Sequence, residues 1–154
     1  MSDLGYNLVK YVHVLCAIVW VGGAFYTQLL AIRAQRSTDP MDLPKLGATA
    51  AEIGLKVFLP ASILLFAAGL VLVLERWSFG TFWVSISMLL WLTSVLVGAL
   101  YLGPASAKVG KLFATEGPSS VAARASLARL FLVSRLELVS FAVIVFLMVT
   151  KPGA

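Results

Sequence analysis

Charged residues are scarce in this sequence. They make up 12% of the 154 residues, whereas a typical soluble domain holds about 25%. Hydrophobic residues make up 60%, and the mean hydropathy is +0.97. Because so few charges cannot cover a surface in water, we expect most of the surface to face lipid. The length fits a single integral membrane domain over residues 1–154 and leaves no room for a separate soluble catalytic domain.

Cysteine and histidine are rarer still, with one of each, Cys16 and His13. A single cysteine cannot form an intrachain disulfide. A single histidine excludes bis-histidine ligation of haem within one chain. The sequence also lacks GxSxG, HExxH, P-loop and GxGxxG patterns, so it shows no hydrolase or nucleotide-binding signature and indicates no catalytic residue.

Long apolar runs are what the sequence has instead. A helix needs about 20 residues to cross the hydrocarbon core, and four runs meet or approach that length. The predicted transmembrane helices lie at about residues 11–33, 57–75, 81–103 and 130–150. The first run is too long for a signal peptide, and we expect it to be retained. The predicted fold class is therefore all-α, a polytopic membrane four-helix bundle with up-down topology.

Basic residues predict the orientation of this bundle. The net charge is +5, and most Lys and Arg residues lie in residues 33–56 and 103–129. Connections rich in Lys and Arg stay in the cytoplasm, so both termini are predicted to lie outside. We expect a multi-pass protein of the bacterial inner membrane whose partner is the lipid bilayer. Since topology accounts for the basic residues, no nucleic-acid partner is expected.

Three features predict where helices begin or continue. Ser119 or Ser120 is expected to be an N-cap, and the helix from there to Thr150 would exceed the bilayer and project into the cytoplasm. Residues 43–56 are either an interfacial helix or a cytoplasmic extension of the second helix. Pro60 is placed near the start of the second helix, where proline is least disruptive.

Small residues predict helix contacts, because helices in lipid associate by close packing. Gly23, Thr27 and Ala31 lie on one face of the first helix, and Ser94 and Gly98 do so on the third. We expect both faces to meet neighbouring helices.

Aromatic residues divide into two groups by predicted depth. Four of them lie at the predicted outer boundary, as an aromatic belt would: Tyr6, Tyr11, Trp77 and Trp83. Trp20 and Trp91 fall near mid-membrane, where an indole N–H needs a partner, and they favour packed core positions.

His13 is the first candidate for chemistry, because ionisable residues within membrane helices are rare and often functional. Imidazole is also the commonest metal ligand among side chains. The alternative is an interfacial histidine bonded to a backbone carbonyl or to water. Cys16 lies three residues on and can share its helix face. Met88 and Met148 are predicted at similar depth, so the set could hold Cu(I) or haem iron or could simply fill the core.

Three further polar residues lie within the predicted spans: Gln28, Arg135 and Glu137. Residues two apart on a helix do not face each other, so Arg135 and Glu137 are expected to have different partners. Gln28 and Thr27 are the expected partners of Glu137. These residues indicate either a proton path or polar-ligand anchor, or a structural hydrogen bond between helices.

The stretch from His13 to Tyr26 (HVLCAIVWVGGAFY) resembles the first helix of a superfamily that includes the HemJ-type protoporphyrinogen oxidases and the copper-resistance protein D family. The whole chain resembles an uncharacterised family of small, four-helix predicted integral membrane proteins in the same neighbourhood. The resemblance to the oxidases implies that His13 binds haem b or a porphyrin. It also implies that the protein, if it is an enzyme, is an oxidoreductase of the protoporphyrinogen oxidase type. We expect the cofactor-binding residues to be His13, Trp20, Met88 and Met148.

Two alternatives stay open beside a haem- or porphyrin-associated redox protein. The first is a copper-handling membrane protein that uses His13 and Cys16 as metal ligands. The second is a non-enzymatic accessory subunit of a larger membrane complex, or a homodimer, which would dock through its small-residue faces.

Overall fold

The computed structural model describes residues 1–39 and 41–153, and almost all of them lie in four long helices. The helices are α1 (Asp3–Gln35), α2 (Asp42–Arg76), α3 (Phe82–Glu116) and α4 (Val121–Thr150). Each is long and apolar enough to cross a membrane. Helices suit this composition because they satisfy every backbone polar group internally, where lipid offers no partner. The predicted all-α polytopic bundle is thereby confirmed, and its N-out/C-out orientation stays a prediction.

The four helices are longer than the predicted spans, with 33, 35, 35 and 30 residues. About 20 residues suffice to cross the hydrocarbon. Most of the excess lies at the predicted cytoplasmic end, where the α1–α2 and α3–α4 connections lie. Residues 43–56 belong to α2. They are therefore an extension of the second helix and not a separate interfacial helix. Ser120 is the N-cap of α4, with its hydroxyl accepting from the Ala123 N–H at 3.1 Å, which confirms the predicted start.

Pro60 lies in the interior of α2, not near its start as predicted, because α2 begins at Asp42. Pro104 likewise lies within α3. A proline inside a helix removes a hydrogen bond and clashes with the preceding turn. In both helices a π-helical turn comes immediately before the proline, at Gly54–Phe58 and Gly98–Leu102. This wider turn changes the hydrogen-bonding register just ahead of the proline, so each helix continues through it.

A third π-helical turn, Ile18–Gly22, interrupts α1. The three turns lie at similar depth, since each is between three and four helical turns from the predicted cytoplasmic end of its helix. Such turns occur often at functional sites. They divide the bundle into two halves, which we name the cytoplasmic half and the outer half after the predicted orientation.

Each half of the bundle has its own packed core. The cytoplasmic-end core joins α3 and α4 and consists of Val109, Phe113, Ala123, Leu127 and Phe131. The outer-end core joins α2, α3 and α4 and consists of Val73, Trp83, Val84 and Leu147. The π-helical turns lie between the two cores.

Close backbone contact holds the cytoplasmic halves of α2 and α3 together. A Cβ atom at Gly47 would lie 2.7 Å from the Ser106 carbonyl oxygen, and one at Gly110 would lie 2.9 Å from the Pro44 carbonyl oxygen. Neither distance is tolerable for a real side chain, so this crossing requires glycine on both helices.

The predicted small-residue faces are confirmed in part. A Cβ atom at Gly23 would clash with the Phe58 ring of α2, and Ala31 packs against the cytoplasmic-end core. Ser94 is buried, and its hydroxyl lies 3.4 Å from that of Ser140 on α4. The prediction is wrong at Gly98, which has no atom within 4 Å of where a Cβ would lie.

Charged and aromatic side chains join the helices at the predicted outer end. The N-terminal amine pairs with Glu75 at 3.2 Å, and Arg76 pairs with Asp3 at 2.8 Å while covering the Tyr6 ring. The belt prediction is wrong for Trp83, which is only 4% exposed because it lies on the α3 face that forms the outer-end core.

Candidate functional site

The His13 imidazole is held between α1 and α2. Its Nδ1 atom lies 2.8 Å from the Leu65 carbonyl oxygen. A carbonyl oxygen only accepts, so Nδ1 carries the proton and donates it. The ring also lies over Gly69, where an added Cβ would come within 2.9 Å of the Cε1 atom. One hydrogen bond and one steric contact therefore orient the ring.

The second ring nitrogen of His13, Nε2, makes no hydrogen bond to residues 1–39 or 41–153. It is also not among the fully buried polar atoms that lack a partner, so it reaches the protein surface. With the proton on Nδ1, neutral imidazole has its lone pair on Nε2. Histidines that bind metals have this arrangement, with the other ring nitrogen donating to a carbonyl or carboxylate.

The other predicted metal ligands lie in packed parts of the bundle. Met88 and Met148 are partly buried and pack against the outer-end core. Within the described residues, that core and its neighbours include neither His13 nor Cys16. Cys16 is buried in α1. The two methionines thus adjoin the same core, and a ligand set that joins them with His13 and Cys16 stays a prediction.

Clusters of ionisable ligands do not occur in the part of the chain that the structure describes. No three His, Cys, Asp or Glu residues there lie close enough to hold a metal ion. The copper site predicted at His13 and Cys16 stays a prediction.

Both mid-membrane tryptophans occupy packed positions, as predicted. Trp20 is buried and lies against Phe141 of α4, with ring centroids 4.6 Å apart. Trp91 stacks on Phe66 of α2 at 4.0 Å and donates its indole N–H to the Ser62 carbonyl oxygen at 3.3 Å. Trp20 lies in the π-helical turn of α1, beside the cavity described next.

A cavity of about 480 Å³ lies beside the cytoplasmic-end core, from which Val109, Leu127 and Phe131 line it, and is bordered by all four helices. Residues from all three π-helical turns line it, including Trp20, Phe58 and Gly98. The three π-helical turns therefore contribute to the wall of one cavity. The lining is mostly apolar.

Polar side chains in this cavity come from all four helices, with Ser62 contributed by α2. Gln28 accepts a hydrogen bond from the Ser134 hydroxyl through Oε1 at 2.8 Å. Its Nε2 atom is buried and has no partner. Glu137 lies one turn beyond Ser134, and its carboxyl group is beside the Ser94 hydroxyl. The wall of the cavity thus contains one carboxyl group and one buried amide nitrogen without a partner.

The predicted intramembrane polar residues differ in position. Gln28 and Glu137 line the same cavity, but the hydrogen-bond partner of Gln28 is Ser134. Thr27 also lines the cavity and donates to the Gly23 carbonyl oxygen of its own helix at 2.9 Å. Arg135 is exposed on a different face, where it lies 5.7 Å from the Phe131 ring centroid.

Sequence reasoning missed the residues that orient the two sites. Leu65 contributes only its backbone carbonyl, and no side-chain pattern indicates which carbonyl a histidine will meet. Ser134 and Ser94 are small residues of a kind that is common in membrane helices. Their spacing from Glu137 and Gln28 in three dimensions depends on how the helices pack.

Four apolar helices of spanning length, two cores and a mostly apolar cavity within the bundle define a multi-pass integral membrane protein. Comparison with known families agrees. A family model described as predicted integral membrane protein (DUF2269) matches residues 7–152, and the chain belongs to this family.

Further comparisons found no similar protein. No curated protein and no solved structure matches the chain significantly. The family match supports the bilayer as the surroundings of the chain. The resemblance to protoporphyrinogen oxidases and to copper-resistance protein D stays a prediction.

Proposed function

We propose that this protein is a haem- or porphyrin-associated redox protein of the membrane, with His13 as the ligand. The observation that carries the proposal is the 2.8 Å contact between His13 Nδ1 and the Leu65 carbonyl oxygen. It fixes the tautomer that leaves Nε2 able to bind a metal, and it does so in the way that metal-binding histidines are usually held.

The residues around His13 fit a haem with one protein ligand. His13 would supply the nitrogen, the Leu65 carbonyl would orient the ring, and Gly69 would leave space for it. Met88 and Met148 lie in the outer-end core and are not needed for this arrangement. A bound haem supplies one-electron chemistry, tuned by its axial ligand and by the surrounding polarity.

Because Nε2 reaches the protein surface, haem can bind in either of two ratios to the chain. One haem for each chain would have an open coordination position or a small exogenous ligand. One haem for two chains would have a His13 from each copy, which would make the protein a homodimer around the cofactor.

A haem titration of the purified protein tests this proposal. Wild-type protein in mild detergent is expected to show a saturable Soret band, with an endpoint that distinguishes the two stoichiometries. His13→Ala is expected to lose saturable binding, because no other nitrogen ligand lies at this site. Added imidazole is expected to restore the band in His13→Ala by occupying the vacated position.

Two methionine variants serve as matched controls. Met88→Leu and Met148→Leu keep the size of the side chain and remove the sulfur, and both are expected to titrate like the wild type. Equal haem binding by His13→Ala without imidazole, or no saturable binding by the wild type, would contradict the proposal.

A further inference from the structure

The wall of the cavity beside the cytoplasmic-end core contains a buried hydrogen-bond donor that nothing in the described chain satisfies. Gln28 is only 9% exposed, its Oε1 is engaged by Ser134, and its Nε2 has no partner. Proteins rarely leave such groups unpaired. Trp83 and Ser87 also have unpartnered polar atoms, but they do not line the cavity. Gln28 is the residue among these three that lines a space large enough for a ligand, and its buried amide reaches that space when the side chain turns.

The donor of Gln28 specifies an acceptor on the occupant of the cavity. A carbonyl or ether oxygen can accept from Nε2. Glu137 lines the same cavity, and its carboxylate form would repel an anionic head group such as that of a fatty acid. The two side chains together favour a neutral molecule.

The side chains of the cavity wall indicate the shape and size of the bound molecule. Aromatic rings from α1, α2 and α4 line the cavity, among them Trp20, Phe58 and Phe141. Flat rings pack well against such side chains. The volume of about 480 Å³ falls within the range of about 300–1,000 Å³ that small-molecule sites have.

The cavity is not sealed from the outside of the bundle. Leu55 of α2 borders it and is 70% exposed. Leu55 belongs to the π-helical turn of α2, at a depth that is predicted to face lipid. A lipid-soluble molecule could therefore enter from the side.

We propose that this cavity binds a neutral, lipid-soluble molecule whose head is a carbonyl-bearing ring. The amide of Gln28 turns into the cavity so that the carbonyl accepts a hydrogen bond from Nε2, and the ring packs against Trp20 and Phe141. The apolar tail extends along the lining toward Leu55. This site is separate from His13, which does not line the cavity. The proposal therefore does not depend on haem binding at His13.

A benzoquinone with a decyl side chain is a suitable probe, because quinones quench tryptophan fluorescence and Trp20 lies in the wall. Wild-type protein in detergent is expected to show saturable quenching, and Trp20→Phe is expected to lose the saturable part. Gln28→Met removes the amide and keeps the length of the side chain. It is expected to weaken binding by about three- to tenfold, the usual effect of losing one neutral hydrogen bond.

Matched controls separate this site from general partitioning into detergent. Ser87→Ala removes an unpartnered buried hydroxyl outside the cavity and is expected to bind the probe like the wild type. Decylbenzene, which lacks the carbonyl, is expected to compete poorly. Decanoate is expected to compete only in Glu137→Gln, where the repelling charge is gone.

Three results would overturn the proposal. One is quenching that rises linearly without saturation. Another is unchanged affinity in Gln28→Met. The third is equal competition by decylbenzene. Each would mean that the cavity holds only water or detergent, or that Gln28 does not contact the occupant.

Discussion

Gly110→Ala is expected to lower the free energy of unfolding by about 1–3 kcal/mol, the usual cost of overpacking a tight contact. The new methyl group would lie 2.9 Å from the Pro44 carbonyl oxygen and 3.3 Å from the Ala48 nitrogen. Both are backbone atoms of α2, so they cannot move aside without moving the helix. Equilibrium unfolding in mixed micelles with increasing SDS would measure the change.

Gly98→Ala is the matched control for this experiment. Gly98 also lies within α3, but no atom lies within 4 Å of where its Cβ would be. Alanine is favoured over glycine in helices by roughly 0.5–1 kcal/mol, so this variant is expected to be as stable as the wild type or slightly more stable. Equal destabilisation by both substitutions would mean that the glycine–glycine crossing of α2 and α3 does not limit stability.

Gly69→Ala is expected to weaken haem binding by about 10- to 100-fold, the range seen when the partners that orient metal ligands are changed. Its methyl group would lie 2.9 Å from His13 Cε1 and 3.2 Å from Nδ1. The ring must then shift, and the hydrogen bond to Leu65 is lost or lengthened. A haem titration beside the wild type measures the effect.

The control for Gly69→Ala lies on the same helix. Gly54→Ala adds a methyl group into open space and is expected to leave haem affinity unchanged. Circular dichroism of both variants separates a local change at His13 from a loss of fold. If Gly69→Ala binds haem as tightly as Gly54→Ala does, then the orientation of His13 by Leu65 and Gly69 has no role in binding.

Hydropathy predicted the number of helices, because lipid-exposed segments must be apolar over their whole length. It did not predict where they end. Lys108 and Lys111 make residues 103–116 look like a connection, yet these residues continue α3. Outside the hydrocarbon a helix tolerates charge on its exposed side, so the apolar run ends before the helix does.

Prolines misled the prediction for a related reason. Pro60 and Pro104 both suggest a helix boundary, since proline disfavours the interior of a helix. The π-helical turns that precede them accommodate both residues. Such turns have no reliable sequence signal, so the depth at which three of them meet became visible only in three dimensions.

The candidate sites were predictable to different degrees. His13 stood out because it is the only histidine and lies in a membrane helix. Its orientation depends on a backbone carbonyl of another helix, which no side-chain pattern specifies. Gln28 and Glu137 were recognised as intramembrane polar residues, but the cavity they share results from the packing of four helices.

The absorption spectrum of the protein as purified from its own membrane tests the central claim most directly. We predict a Soret band from haem or a porphyrin that copurifies in a fixed ratio to the chain and is missing from His13→Ala prepared in the same way. A colourless wild-type protein from haem-replete cells that also fails to bind added haem or porphyrin would contradict the proposed function.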